Sequence, residues 1–289
     1  MEEKTNKLNI GLIGLGVVGG SLYNWLKNNT QHNIYREDPG KGFNEIEPVK
    51  KDINVFFVCV PVPTNKNGIQ DTIILKNVLK KYREHKRVPF FIRSTILPKT
   101  TDHLKKFLKM NLYAMPEFLV ERESDKTFES QGIICGCDLE NTDLYNNQED
   151  LLKKIFPNKK IILMTNREAE LAKFAHNCMG ALKVNFFNLI AKYSETITAN
   201  YSNVLEGVLM SGYINAEHTR VPGPDGKHGF GGNCFLKDMF AFIKELKRIG
   251  LQSSSLECVM FENTTYRQHW DKWLKVPEVK FPEEYKTGE

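Results

Sequence analysis

The chain is 289 residues long, 26% charged and 41% hydrophobic, with a formal net charge of +5. That length suits about two domains of roughly 100–200 residues each, and the composition excludes disordered and fibrous classes. The positive residues are scattered rather than run together, so a nucleic-acid partner is not expected. No stretch approaches the ~18 apolar residues of a membrane span, and the N-terminus lacks an apolar signal core, so a cytoplasmic protein is expected. Six cysteines, Cys59, Cys135, Cys137, Cys178, Cys234 and Cys258, show no paired metal-ligand spacing. They read as free thiols in a reducing compartment, with no metal site.

The first element is a short apolar strand over residues 8–13. It turns through Gly14, Gly16 and Gly19 into a helix with Leu22, Trp25 and Leu26 on its apolar face. Glycines at this spacing between a strand and a helix form a dinucleotide fingerprint. Gly14 permits the turn, Gly16 lets a pyrophosphate approach, and Gly19 allows close packing; Val17 and Val18 open the helix whose N-terminus faces the phosphates. The next strand ends on Asp38, at the distance expected of an acid that binds the adenosine ribose, with Glu37 as the alternative. An acid here favours NAD over NADP, and Arg36 weakens that preference slightly.

Further buried strands follow at 55–60, broken by Pro61 and Pro63, and at 90–93, ending in Ser94 and Thr95. "NLYAMPEFLVE" and "GIICG" continue the series, with amphipathic helices such as "ILKNVLKKYREH" between them. This alternation predicts an α/β fold: an N-terminal Rossmann-type, doubly wound parallel sheet over residues 1–165. Cys59, Thr95 and Glu117 fall at strand ends, where ligands bind, although Cys59 equally suits a strand core.

Residues 166–275 read as an all-α central domain, followed by a polar tail at 276–289. A long helix begins near residue 167, with Leu171, Phe174, Cys178, Leu182, Leu189 and Tyr193 on one apolar face. Lys173 and Asn177 are four apart and share another face. They are either solvent-exposed or, facing a cleft, oxyanion stabilisers. A second helix leads to a loop rich in Gly and Pro, and another helix starts near Phe235. Cys234 therefore lies at a helix N-terminus, which favours the thiolate. Asp238 is one turn further on, beside Lys237. The glycines before Cys234 either let a substrate pass the backbone or form a hinge. A final helix carries Leu256, Val259, Met260, Tyr266 and Trp270 at apolar positions, as a subunit interface would.

In order, "GLGVVG", "CVPVPT", "STILPKTT", "MPEFLVE", "ELAKFAHN" and "GFGGNCFLKD" resemble the signatures of the UDP-glucose/GDP-mannose 6-dehydrogenase family. The resemblance spans residues 8–270. It implies an NAD-dependent oxidation of the C6 alcohol of a nucleotide sugar to a carboxylate, through a thiohemiacetal and a thioester on Cys234. It further implies catalytic roles for Lys173, Asn177, Asp238, Glu117 and Thr95. Glu117, Phe118, Leu119, Glu121, Lys173, Arg220, Phe230 and Gly231 are expected to bind substrate. Gly14, Gly16, Val17, Val18, Gly19, Asp38, Val60, Pro61, Thr95, Glu121 and Lys237 are expected to bind NAD. A homodimer through the central helices is also implied.

The sequence departs from the family pattern at Lys99, Met115 and Arg122, and in a short interval between Asp38 and "CVPVPT". Family members usually continue into a third, nucleotide-binding domain, so the chain reads as a short form. The loop carrying Arg220 and Lys227 is expected to compensate. The alternatives are a two-electron β-hydroxyacid-type dehydrogenase, and a catalytically degenerate protein that binds NAD or a nucleotide sugar.

Overall fold

A computed structural model describes residues 7–65, 67–232 and 234–267. Trp270 and the tail expected at 276–289 lie outside the described residues. The chain divides into two compact units, one of residues 1–63 and 71–173, the other of residues 64–70 and 174–289.

The first unit begins with β1 (Asn9–Ile13), α1 (Val17–Asn29), β2 (Asn33–Asp38), β3 (Phe43–Asn44) and β4 (Val55–Val58). It continues through α2 (Ile73–Lys81), β5 (Phe90–Ile92), α3 (Thr100–Leu108), β6 (Leu112–Ala114), α4 (Ser124–Ser130), β7 (Ile133–Gly136), α5 (Thr142–Ile155) and β8 (Ile161–Met164). Six strands form one sheet in the order β3-β2-β1-β4-β5-β6. All neighbouring pairs but β2–β3 are parallel.

The strands are short apolar runs because both faces of the sheet are covered. Side chains alternate across the pleat. Val55 and Phe57 join a core with Leu22, Trp25, Phe128 and Phe156, whereas Phe56 and Val58 join one with Leu75, Leu79, Leu104 and Leu108. Phe56 stacks on Phe90 at 4.4 Å and Phe57 meets Phe91 at 5.4 Å. Truncating such a ring to Ala costs about 3–5 kcal/mol.

Two details differ from the expected uninterrupted parallel series. After Asp38 the chain makes a tight turn over Pro39–Lys41, ended by Gly42 at φ 77°, and returns as antiparallel β3. That left-handed conformation suits glycine. In addition, β7 pairs with β8 alone, as a separate parallel ribbon. Beyond β6, the Ala114 amide donates to the Asn166 side chain at 2.9 Å, so a side-chain amide occupies that edge. Gly136, the last residue of β7, lies so near Asn166 that a Cβ there would fall 1.9 Å from Oδ1.

The long helix is α6 (Asn166–Thr196). The second unit contains its part from Phe174 onward, then α7 (Tyr201–Leu209), α8 (Phe235–Arg248) and α9 (Ser254–Tyr266). Its core joins Cys178 and Ala181 of α6 to Phe230, Leu236, Met239, Leu256, Val259 and Met260. The single apolar face expected on α6 is split in two. Phe174 and Cys178 are buried, whereas Leu171, Leu189 and Tyr193 are exposed. Leu256, Val259 and Met260 of α9, expected at a subunit interface, join the unit's own core, whereas Tyr266 is half-buried outside it.

Candidate active-site residues

In the first unit the glycine turn is built as a phosphate cradle. Gly14 has φ 86°, and a Cβ on Gly19 would lie 1.9 Å from the Gly14 carbonyl oxygen. A Cβ on Gly16 would meet nothing within 4 Å, which leaves open space above the start of α1. The first turn of α1 carries no acidic residue to compete for its amides. Val17 is exposed and Val18 half-buried beside that space. The residues present therefore suit a dinucleotide.

Asp38 is half-buried, and its carboxylate accepts from the Leu15 amide at 2.8 Å. Glu37, the alternative acid, points away: it is buried against Lys81 at 2.9 Å and the Tyr82 hydroxyl. The structure thus separates two neighbouring acids that the sequence left open. Lys41, not singled out from sequence, places its Nζ 2.6 Å from the Leu15 carbonyl. Its signal was the Pro-Gly-Lys-Gly turn directly after Asp38.

Past β4 and β5, Val60 is buried, Pro61 is exposed, and Ser94 donates to the Val60 carbonyl at 2.5 Å. Thr95 is half-buried beside Ser94. Cys59 is a core residue: burial pushes its thiol up to about 12. Beyond β6, Glu117 lies 3.5 Å from the Lys173 ammonium. The Glu117 carboxylate also accepts from the Leu119 amide, and the Phe118 ring lies 5.5 Å from Lys173 Nζ. Lys173 is only 4% exposed, which decides against a solvated surface lysine. Glu121 is exposed in the turn before α4.

Glu170, one turn before Lys173 on α6, was not anticipated. It is buried and accepts from the Lys99 and Thr101 amides at 2.7 and 2.8 Å, holding the start of α3. Lys99 stands at φ 78°, a left-handed conformation that favours glycine. Burial pushes the Glu170 carboxyl up to about 7, against the pull of those amides.

In the second unit Cys234 occupies the N-cap position of α8 and is exposed. Asp238, fully buried, donates its amide to the Cys234 carbonyl at 3.1 Å. Its carboxylate accepts from Asn177 Nδ2 at 2.6 Å and from Lys237 Nζ. Asn177 is 2% exposed, so it too is no surface residue. The Lys237 carbonyl accepts from the Thr64 hydroxyl at 3.0 Å. Cys178 is a packing thiol, raised to about 12 by burial and by the charge of Asp238. Phe230 is buried and Gly231 half-buried just ahead of Cys234. Arg220 and Lys227 are exposed; Arg220 borders a 640 Å³ hollow along α7 with Tyr201, Leu205 and Leu209.

Each unit therefore brings together part of the expected set: Glu117, Phe118, Leu119 and Lys173 in the first, and Asn177, Cys234, Lys237 and Asp238 in the second. A mostly parallel sheet with a glycine turn after β1, followed by a helical unit, defines a Rossmann-type architecture. Residues 167–265 match the central domain of the UDP-glucose/GDP-mannose dehydrogenase family. Those residues, about a third of the chain, carry the likeness to that family.

The UDP-glucose 6-dehydrogenase of Rickettsia bellii is 28% identical over 228 residues, which are 74% of this chain and 50% of that protein. The chain thus spans about half the length of this relative. A UDP-glucose dehydrogenase from Pyrobaculum islandicum is similar in structure, with a TM-score of 0.77 at 20% identity, over 92% of this chain and 70% of the other. A 3-hydroxyisobutyrate dehydrogenase from Mycobacterium tuberculosis has a TM-score of 0.67 at 15% identity, over 91% of this chain and 94% of the other. At these identities the structural likeness shows the fold alone.

Proposed function

We propose that this chain oxidises the C6 primary alcohol of a nucleotide sugar, with UDP-glucose first among the candidates, to the carboxylate. The observation that carries the reading is an exposed cysteine at the N-terminus of α8, one turn before a buried aspartate held by Asn177 and Lys237. A protein that only binds its ligand has no need of that pairing.

NAD+, when bound at the glycine turn, supplies the hydride acceptor for each of two oxidations. In the first, the alcohol becomes an aldehyde, with Lys173 stabilising the oxygen as its proton leaves. The Cys234 sulfur then adds to the aldehyde carbon, forming a C–S bond and a thiohemiacetal. Loss of a second hydride from that carbon, with the hydroxyl proton, yields a thioester. Glu117 serves as base for the water that attacks the thioester, the C–S bond breaks, and the acid leaves with the thiolate restored. Asn177 and Asp238 orient the reacting groups around the sulfur. Glu121, Phe118, Leu119, Phe230 and Gly231 complete the proposed substrate contacts, and Arg220 with the hollow beside it takes the nucleotide. Val60, Pro61, Thr95 and Lys237 are proposed to line the nicotinamide half.

Incubation with NAD+ and a panel of nucleotide sugars tests the reading. Two reduced cofactors should form for each sugar consumed, and Cys234→Ser should stop sustained turnover. A yield of one per substrate would favour the second reading, a two-electron hydroxyacid dehydrogenase. That alternative would use the fold that this chain shares with the 3-hydroxyisobutyrate dehydrogenase chain. NAD binding with no turnover on any sugar would point to a binding protein.

A further inference from the structure

The glycine loop before Cys234 is gripped from α9. Asn263, fully buried, spends both ends of its side-chain amide on one residue: Oδ1 accepts from the Phe230 amide at 2.8 Å, and Nδ2 donates to the Phe230 carbonyl at 2.9 Å. This pairing copies a strand partner with a single side chain. One turn later Arg267 donates from Nε to the His228 carbonyl at 2.7 Å and from Nη2 to the Gly229 carbonyl at 2.9 Å. Its Nη1 pairs with Asp225 at 2.7 Å. Asn188 of α6 accepts from the Gly229 amide at 3.0 Å. Five successive backbone groups of the loop are therefore committed to three side chains.

The same contacts account for two of the glycines. A Cβ on Gly229 would lie 2.4 Å from Asn263 Oδ1, and one on Gly231 would lie 2.9 Å from Arg267 Nη1. At Gly232, by contrast, a Cβ would meet open space. The bare backbone at Gly229 and Gly231 admits the brace.

We infer that Asn263 and Arg267 are positioning residues that fix the thiol of Cys234 at the N-terminus of α8 by clamping the backbone of His228–Phe230, four residues ahead of it. The proposal rests on Cys234 being the nucleophile, but it is tested by a property of the thiol itself. The helix N-terminus favours a thiolate only while the sulfur stays within the first turn. A loop freed from its clamp lets the sulfur drift from that position, and a displacement of ~1 Å costs up to roughly 100-fold in rate.

The test is the pH profile of iodoacetamide alkylation at Cys234 in the full chain, read by peptide mass spectrometry, alongside kcat and KM. In Arg267→Ala, half-maximal alkylation should move to higher pH. With an active sugar, kcat should fall by roughly 10–100-fold while KM changes far less. Arg267→Lys, which keeps part of the grip, should recover part of both. Should Asn263→Ala fail to fold, the Arg267 pair decides. A folded Arg267→Ala with the wild-type alkylation profile overturns the proposal, whatever its melting temperature. If no sugar is turned over, the proposed reaction fails, and the alkylation profile still decides the clamp.

Discussion

The residues whose meaning was hardest to read are those that one hydrogen bond settles. Lys173 and Asn177 fitted a solvated helix face as well as a site, and burial removes the solvated reading. Periodicity reports which positions share a face but not what covers it. Three thiols that look alike in sequence also separate: Cys59 and Cys178 are buried and raised to about 12, whereas Cys234 is exposed at a helix start. Beside the glycine turn, Asp38 and Lys41 bracket Leu15 with opposite charges. With NADPH bound at the glycine turn, that ammonium would attract a 2′-phosphate, which Asp38 would repel. Lys41→Ala is expected to weaken NADPH binding by roughly tenfold, the worth of one exposed charge contact, and NADH binding by under about threefold. Fluorescence titration with the two reduced cofactors measures both, and equal weakening would remove Lys41 from the recognition of the extra phosphate.

Among the elements, α3 has an N-terminus that depends on a carboxylate from another helix. Glu170 titrates near 7 in the folded chain, above its ordinary value of 4.5, chiefly because of burial. Its contribution is therefore fully present below about pH 4.5 and declines as pH rises through about 7, by an amount of order 3 kcal/mol. Glu170→Gln should flatten that part of the stability profile. Urea melts at several pH values, compared with wild type, check the slope; an unchanged slope would assign the pH dependence to other groups. The strands and the helix starting at Phe235 were legible because apolar runs and glycine punctuation mark them locally. The antiparallel return of β3 and the separate β7–β8 ribbon were not. Strand partners are chosen by groups distant in sequence, such as the Asn166 amide that occupies the edge of β6.

For the whole molecule, the consequential surface is the one α6 leaves bare. Phe186, Leu189 and Tyr193 follow one another at helical spacing, with Ile197 just beyond the helix, and all are exposed. A run of large apolar side chains in water marks an association surface. We propose that it is the dimer interface, with α9 serving the core instead. Light scattering should find a dimer, and Leu189→Glu with Tyr193→Glu should yield folded monomers. A wild-type monomer at micromolar concentration would dismiss the interface.

The clamp on the glycine loop also bears on inheritance. A side chain added at Gly231 would press on the guanidinium of Arg267, which must shift to admit it. Changes at the two positions are therefore expected to be coupled. The loop that presents the thiol and the last described helix should vary together, as a single heritable piece.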